Sequence, residues 1–175
     1  VTGVQTCALP IRYQPRAFQA GCRLWQEMVA RDQVVPQILK DYCENWITWL
    51  AGYARKYNGQ TPTDFPTKTP SVPLNDDFTG HMCGLWLAGV VQAAMAGSKH
   101  KDLDYMMEVC VRELRANYVV TGIPGKAMDG AWSPAVRASN DNGMYFGFWG
   151  GEIMRGLGLY AIYKRHGPRA SLRNL

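Results

Sequence analysis

The sequence predicts an all-α protein of repeated antiparallel helical hairpins, part of an (α/α) toroid or an α-solenoid. Three observations carry this expectation. Apolar residues recur at three- and four-residue steps almost throughout the 175 residues, and no run of alternating β-branched residues interrupts them. Short and long connections alternate between the periodic segments. A motif also repeats: Asn75-Asp76-Asp77 precedes Gly84-Leu85-Trp86-Leu87-Ala88-Gly89, and Asn140-Asp141-Asn142 precedes Gly147-Phe148-Trp149-Gly150-Gly151-Glu152. Trp49-Leu50-Ala51-Gly52 echoes the Trp86 to Gly89 stretch. Hairpins of this size bury their apolar faces only against neighbouring hairpins, as solenoids and closed toroids do.

The first helix is expected over 15–31, with Phe18, Cys22, Trp25 and Met28/Val29 on one face. The second starts near Pro36, a good first-turn residue, and its stripe runs through Tyr42/Cys43, Trp46/Ile47 and Trp49/Leu50 to Tyr53 before Asn58-Gly59 stops it. A third covers 77–96 and ends at Gly97. Asp102 can cap the fourth, whose stripe is Leu103, Met106/Met107, Cys110/Val111, Leu114 and Tyr118. The fifth covers 143–165, closed by Gly167-Pro168, and a basic tail follows over 168–175.

Glycine is expensive inside a helix, about 1 kcal/mol each relative to alanine. The fifth helix nevertheless holds Gly147, Gly150, Gly151, Gly156 and Gly158. Gly143, Gly147 and Gly151 share a face, as do Gly80, Gly84 and Ala88 in the third helix, so close backbone approach is expected along these tracks.

The two long links, 58–76 with Pro62, Pro66, Pro70 and Pro73, and 121–142 with several turn signals, are long for a compact domain, and such links are often functional. If successive helices are antiparallel, both links and the starts of the third and fifth helices share one end, where a site is expected.

Composition excludes disordered, collagen-like and disulfide-scaffold classes, with 47% hydrophobic and 19% charged residues. The net charge is +5, but Lys and Arg nowhere form a run of three, so no nucleic-acid partner is expected. Residues 78–97 contain no Asp, Glu, Lys or Arg and are long enough to cross a bilayer. Thr79, His81 and Gln92 within them, and Glu152 and Arg155 in the fifth helix, favour a buried inner helix over a membrane span. Cys22, Cys43, Cys83 and Cys110 lie inside apolar patterns without a Cys-x-x-Cys pair and read as buried thiols.

Residues 1–11 resemble a translated sequencing-library adapter, so the helical-hairpin domain is taken as 12–167 and expected to be incomplete. A missing N-terminal part of the same chain is then an expected partner, and the lack of a leader says nothing about location.

Three constellations can carry chemistry. Asp77 and His81 are four apart on one helix face, beside Asn75 and Asp76; they suit general-base or paired-carboxylate work, or helix capping. Asp129, Trp132, Arg137, Asn140 and Asp141 crowd the second long link, where Trp132 can stack on a sugar ring or anchor the loop. Glu152 lies in an apolar helix with Arg155 three residues on, which favours a structural ion pair. The absence of a phosphate-binding glycine loop, a nucleophile elbow and a His-Glu-x-x-His motif leaves no cofactor or metal expected.

The run from Asn75 to Gly89, with Asp102 to Tyr118 as its hairpin partner and 140–163 as a further inner helix, resembles the six-hairpin glycosidase superfamily. The resemblance implies an (α/α) toroid that binds carbohydrate where long loops meet inner-helix starts. It implies a polysaccharide hydrolase or lyase, with Asp76, Asp77 and Asp141 as acid and base and His81, Asp129, Trp132, Arg137 and Asn140 as binders. The alternative is a non-catalytic helical-repeat module of a surface- or particle-associated protein.

Overall fold

The structure, a computed structural model, describes residues 14–62, 80–117 and 147–168. These form α1 (Gln14–Ala30), α2 (Gln37–Lys56), α3 (Gly80–Met95), α4 (Leu103–Asn117) and α5 (Gly147–His166), with no strand among the described residues. The protein is all-α, as periodicity predicts. Pro36 sits just outside α2, with φ −58° leading into the first turn. Asn58 and Gly59 stop that helix with φ of 52° and 77°, and the Gly59 N–H returns to Ala54 O at 2.7 Å.

The core is built around α3. Every residue from Met82 to Ala96 is buried, and Trp86, Leu85, Leu87 and Met82 are wholly so. Complete burial of each such side chain is worth roughly 1.5–3 kcal/mol. No described helix is long and apolar enough to cross a membrane. What surrounds α3 is protein: α1, α4 and α5 all pack on it.

Residue pairings give the directions. Phe18 stacks on Trp86 at 5.5 Å, Gln19 Nε2 donates to Gln92 Oε1 at 2.8 Å, and Gln26 Nε2 reaches Met95 Sδ at 3.3 Å, so α1 and α3 run the same way. On the other side, Ser98 Oγ donates to Glu44 Oε1, His100 Nε2 meets Thr48 Oγ1, Arg55 pairs with Asp102, and the Thr61 N–H reaches Glu113, so α2 and α4 are also parallel. Two antiparallel hairpins, α1/α2 and α3/α4, therefore lie side by side in one orientation, and α5 packs on α3. Asp102 does stand directly before α4, but its carboxylate is held by Arg55.

Two expectations need correction. The close approach of α3 and α5 is made by Gly84, which lies on the expected α3 track, and by Gly156, which lies off the expected α5 track, while Gly151 of that track takes no part. A Cβ on Gly156 would lie 2.4 Å from Gly84 O, and one on Gly84 would lie 2.7 Å from Ile153 Cα, whereas nothing stands within 4 Å of Gly151 or Gly158. The Trp49 to Gly52 echo does not mark an equivalent environment either. Trp49 is exposed and Gly52 is open, while Trp86 is buried and Gly89 faces the Phe18 ring.

Alanine should therefore act oppositely at these glycines. Gly84→Ala and Gly156→Ala are expected to lose roughly 1–3 kcal/mol through overpacking against backbone. Gly151→Ala and Gly158→Ala are expected to gain about 0.5–1 kcal/mol each. Urea midpoints of the four variants check the contrast.

Candidate functional site

Of the residues singled out from sequence, His81, Glu152 and Arg155 fall in described helices; His81 is the second residue of α3, and its side chain is outside the described residues. Asp76, Asp77, Asp129, Trp132, Arg137, Asn140 and Asp141 also lie outside them. The end of the molecule from which those segments continue is described. There α2 and α4 finish and α3 begins, and Arg16 in the first turn of α1 meets Glu152 in the second turn of α5.

The chemistry at this end centres on Glu113, four residues before the close of α4. Its buried carboxyl accepts the Thr61 N–H at 2.7 Å, and the Cys83 thiol lies 3.8 Å away. Cys83 in turn faces Cys110 O at 3.4 Å. Burial pushes the Glu113 carboxyl up to about 7, partly offset by the bonds from Thr61 and Cys83. A carboxylic acid balanced near neutrality can give or take a proton, which makes it a site candidate.

Glu113 was overlooked in the stripe reading of α4. It sits seven residues after Met106 and three after Cys110, on the face that both bury, and that spacing was the available signal.

On a face of α4 that Glu113 does not share, a shallow groove of about 480 Å³ is lined by Glu108, Val111, Arg112, Arg115, Ala116 and Tyr160. Lys164 lies 5.9 Å above the Tyr160 ring. The guanidinium of Arg112 is seated over Gly59, where a Cβ would come within 2.6 Å of it. A ring flanked by cations can stack on a sugar and engage acidic or hydroxyl groups.

Glu152 is buried, and its structural ion pair is made chiefly across the fold. Arg16 from α1 holds Oε1, while Arg155, the partner expected from sequence, stands 3.9 Å away. Glu152 Oε2 has no hydrogen-bond partner among the described residues. Also among the described residues, no group of three or more His, Cys, Asp or Glu is placed to hold a metal ion.

Compared with protein-family models, curated proteins and solved structures, the chain matches none.

Two predictions follow from the buried carboxyls. Because Glu113 has a raised folded-state value, its favourable contribution is whole below about pH 4 and is lost as pH rises through 7. Denaturant titrations should show about 3 kcal/mol of stability lost between pH 4 and pH 9, and Glu113→Gln should flatten most of that slope. Arg16→Ala should cost about 2 kcal/mol by leaving Glu152 poorly compensated, whereas Arg155→Ala should cost well under about 1 kcal/mol in the same assay.

Proposed function

We propose that this chain is part of a carbohydrate-active enzyme, a polysaccharide hydrolase or lyase of the six-hairpin (α/α) type. Its site is the end where α2 and α4 finish and α3 and α5 begin. The observation that carries the reading is Glu113, a carboxyl kept protonated up to about pH 7 at that end. General acids of glycoside cleavage need this character, since they must donate a proton to a leaving oxygen near neutral pH.

In this reading Asp76, Asp77 and Asp141 supply the opposing carboxylate, and His81, Asp129, Trp132, Arg137 and Asn140 bind sugar. For a lyase, His81 or a tyrosine is the base. The parallel setting of the α1/α2 and α3/α4 hairpins supports a toroid or solenoid, because such folds repeat hairpins in one orientation. The groove beside Tyr160 supports a saccharide ligand.

A second reading is the non-catalytic helical-repeat module. Its support is that Glu113 is itself buried and already satisfies the Thr61 N–H, as a structural carboxyl would.

Turnover of neutral and acidic polysaccharides by the full chain separates the two. Reducing ends report hydrolysis, and unsaturated products report lyase cleavage. The enzyme reading expects Glu113→Gln and Asp77→Asn to keep their helical circular dichroism while turnover drops roughly 10²-fold or more. Turnover that survives both substitutions assigns Glu113 to structure and removes the reading.

A further inference from the structure

α4 and α5 pack on α3 rather than on each other, and the space left between them opens as the shallow groove lined by Glu108, Arg112 and Arg115 of α4 and by Tyr160 of α5. Its rim is cationic. Arg112 and Arg115 are exposed, and Lys164, one turn beyond Tyr160, holds its ammonium 5.9 Å from that ring. Among the described residues none of these three cations is ion-paired, whereas Arg16, Arg31, Arg55 and Arg155 each have a carboxylate. Glu108 stands four residues before Arg112, the spacing of a helical ion pair, yet the Arg112 guanidinium is drawn over Gly59 instead.

Helix ends do not account for the cluster. Arg115 and Lys164 lie in last turns, where a cation complements the helix dipole, but Arg112 comes before the last turn of α4. Set against Glu108 alone, the three cations leave the groove positive, and a recess lined by one sign of charge concentrates ligands of the other.

Shape selects the kind of anion. The volume of about 480 Å³ falls in the range of ligand clefts, roughly 300–1,000 Å³, but such clefts enclose most of a small ligand and this one is shallow. A polymer lying along the surface suits it better. Nucleic-acid binding commonly uses about six to ten phosphate contacts, whereas this groove has three cations and the chain has no run of three Lys or Arg. The remaining groups suit a sugar chain. Tyr160 offers a ring for stacking, Glu108 can accept hydrogen bonds from hydroxyls, and the arginine forks match a carboxylate.

We propose that the groove between α4 and α5 is a binding subsite for an acidic polysaccharide, with Arg112 and Arg115 on a sugar carboxylate, Tyr160 stacked on a sugar ring and Glu108 on hydroxyls. The saccharide rests on the carbohydrate-active reading of the chain, and the anionic charge rests on the groove alone.

Calorimetric titration of the full chain with polygalacturonate, alginate, neutral dextran, polyglutamate and single-stranded DNA tests this. Polygalacturonate or alginate should bind, and dextran should not. Arg112→Gln with Arg115→Gln should raise that Kd at least roughly tenfold with helical circular dichroism unchanged. Arg23→Gln with Lys40→Gln removes the same charge outside the groove and should leave Kd within about twofold. Tyr160→Leu should weaken the acidic polysaccharide about fivefold and leave polyglutamate unaffected. The proposal is overturned if neither acidic polysaccharide binds, if both double variants weaken binding equally, or if Tyr160→Leu has no effect. Tighter binding of polyglutamate or of DNA at equal charge also overturns it. Turnover judges the enzyme reading separately: a chain that binds through the groove and cleaves no polysaccharide loses that reading and keeps the site, and one that cleaves while indifferent to the arginine variants loses the site alone.

Discussion

The enclosure of α3 on all sides is the constraint on which the other helices depend. An amphipathic helix finds its orientation by turning its polar face to water. A helix without such a face must be oriented by shape and by isolated polar groups. α3 has a separate device for each neighbour. Gly84 admits the backbone of α5, Gly89 takes the ring of Phe18 from α1, and Cys83 and Gln92 bring single polar contacts to α4 and α1. The Gln92 amide would be costly in such surroundings without Gln19, which explains a second buried glutamine on α1.

The α2/α4 flank is held differently, by polar contacts spaced along its length. They start at Glu44 with Ser98 and His100 with Thr48, continue through Arg55 with Asp102 and the Tyr105 ring, and finish at Thr61 with Glu113. The two carboxyls in this series are tuned in opposite directions. Asp102 is held below the ordinary carboxylate range by the Arg55 guanidinium, so it is a fixed charge. Glu113 meets a backbone N–H, a hydroxyl and a thiol in dry surroundings, and is held above that range. The hairpin-turn end of the interface is thus a static ionic clasp, and the opposite end carries a titratable proton.

Much of this architecture was legible in the sequence. The period of three to four residues gave five helices whose described bounds differ little from expectation, and the uncharged run after Phe78 marked an inner helix. The four thiols of the helical region are buried and free, as their apolar settings suggested. What periodicity cannot express is which neighbour a face meets. Gly156 looked like one glycine among several, because its importance lies in the Gly84 carbonyl of α3, which is distant in sequence. Arg155 looked like the partner of Glu152 because it is local, and Arg16 did not because it is distant. Glu113 was hidden for a related reason: a charged letter within a stripe is easily read as solvent-facing, although its position on the wheel was buried. The acidic clusters of the long links fall outside the described residues, so their part in a site is carried by sequence pattern alone.

The thiols have a practical consequence. Cys22 and Cys43 adjoin across α1 and α2, and the Cys83 thiol donates to the Cys110 carbonyl across α3 and α4, with burial pushing the Cys22 and Cys83 thiols well above their usual range. Closed hairpins therefore present almost no thiolate to an alkylating reagent. Each hairpin carries its own clock: the rate at which its sulfurs are captured, resolved by peptide mass, measures how often that hairpin opens, and would tell whether the two hairpins breathe together or one at a time.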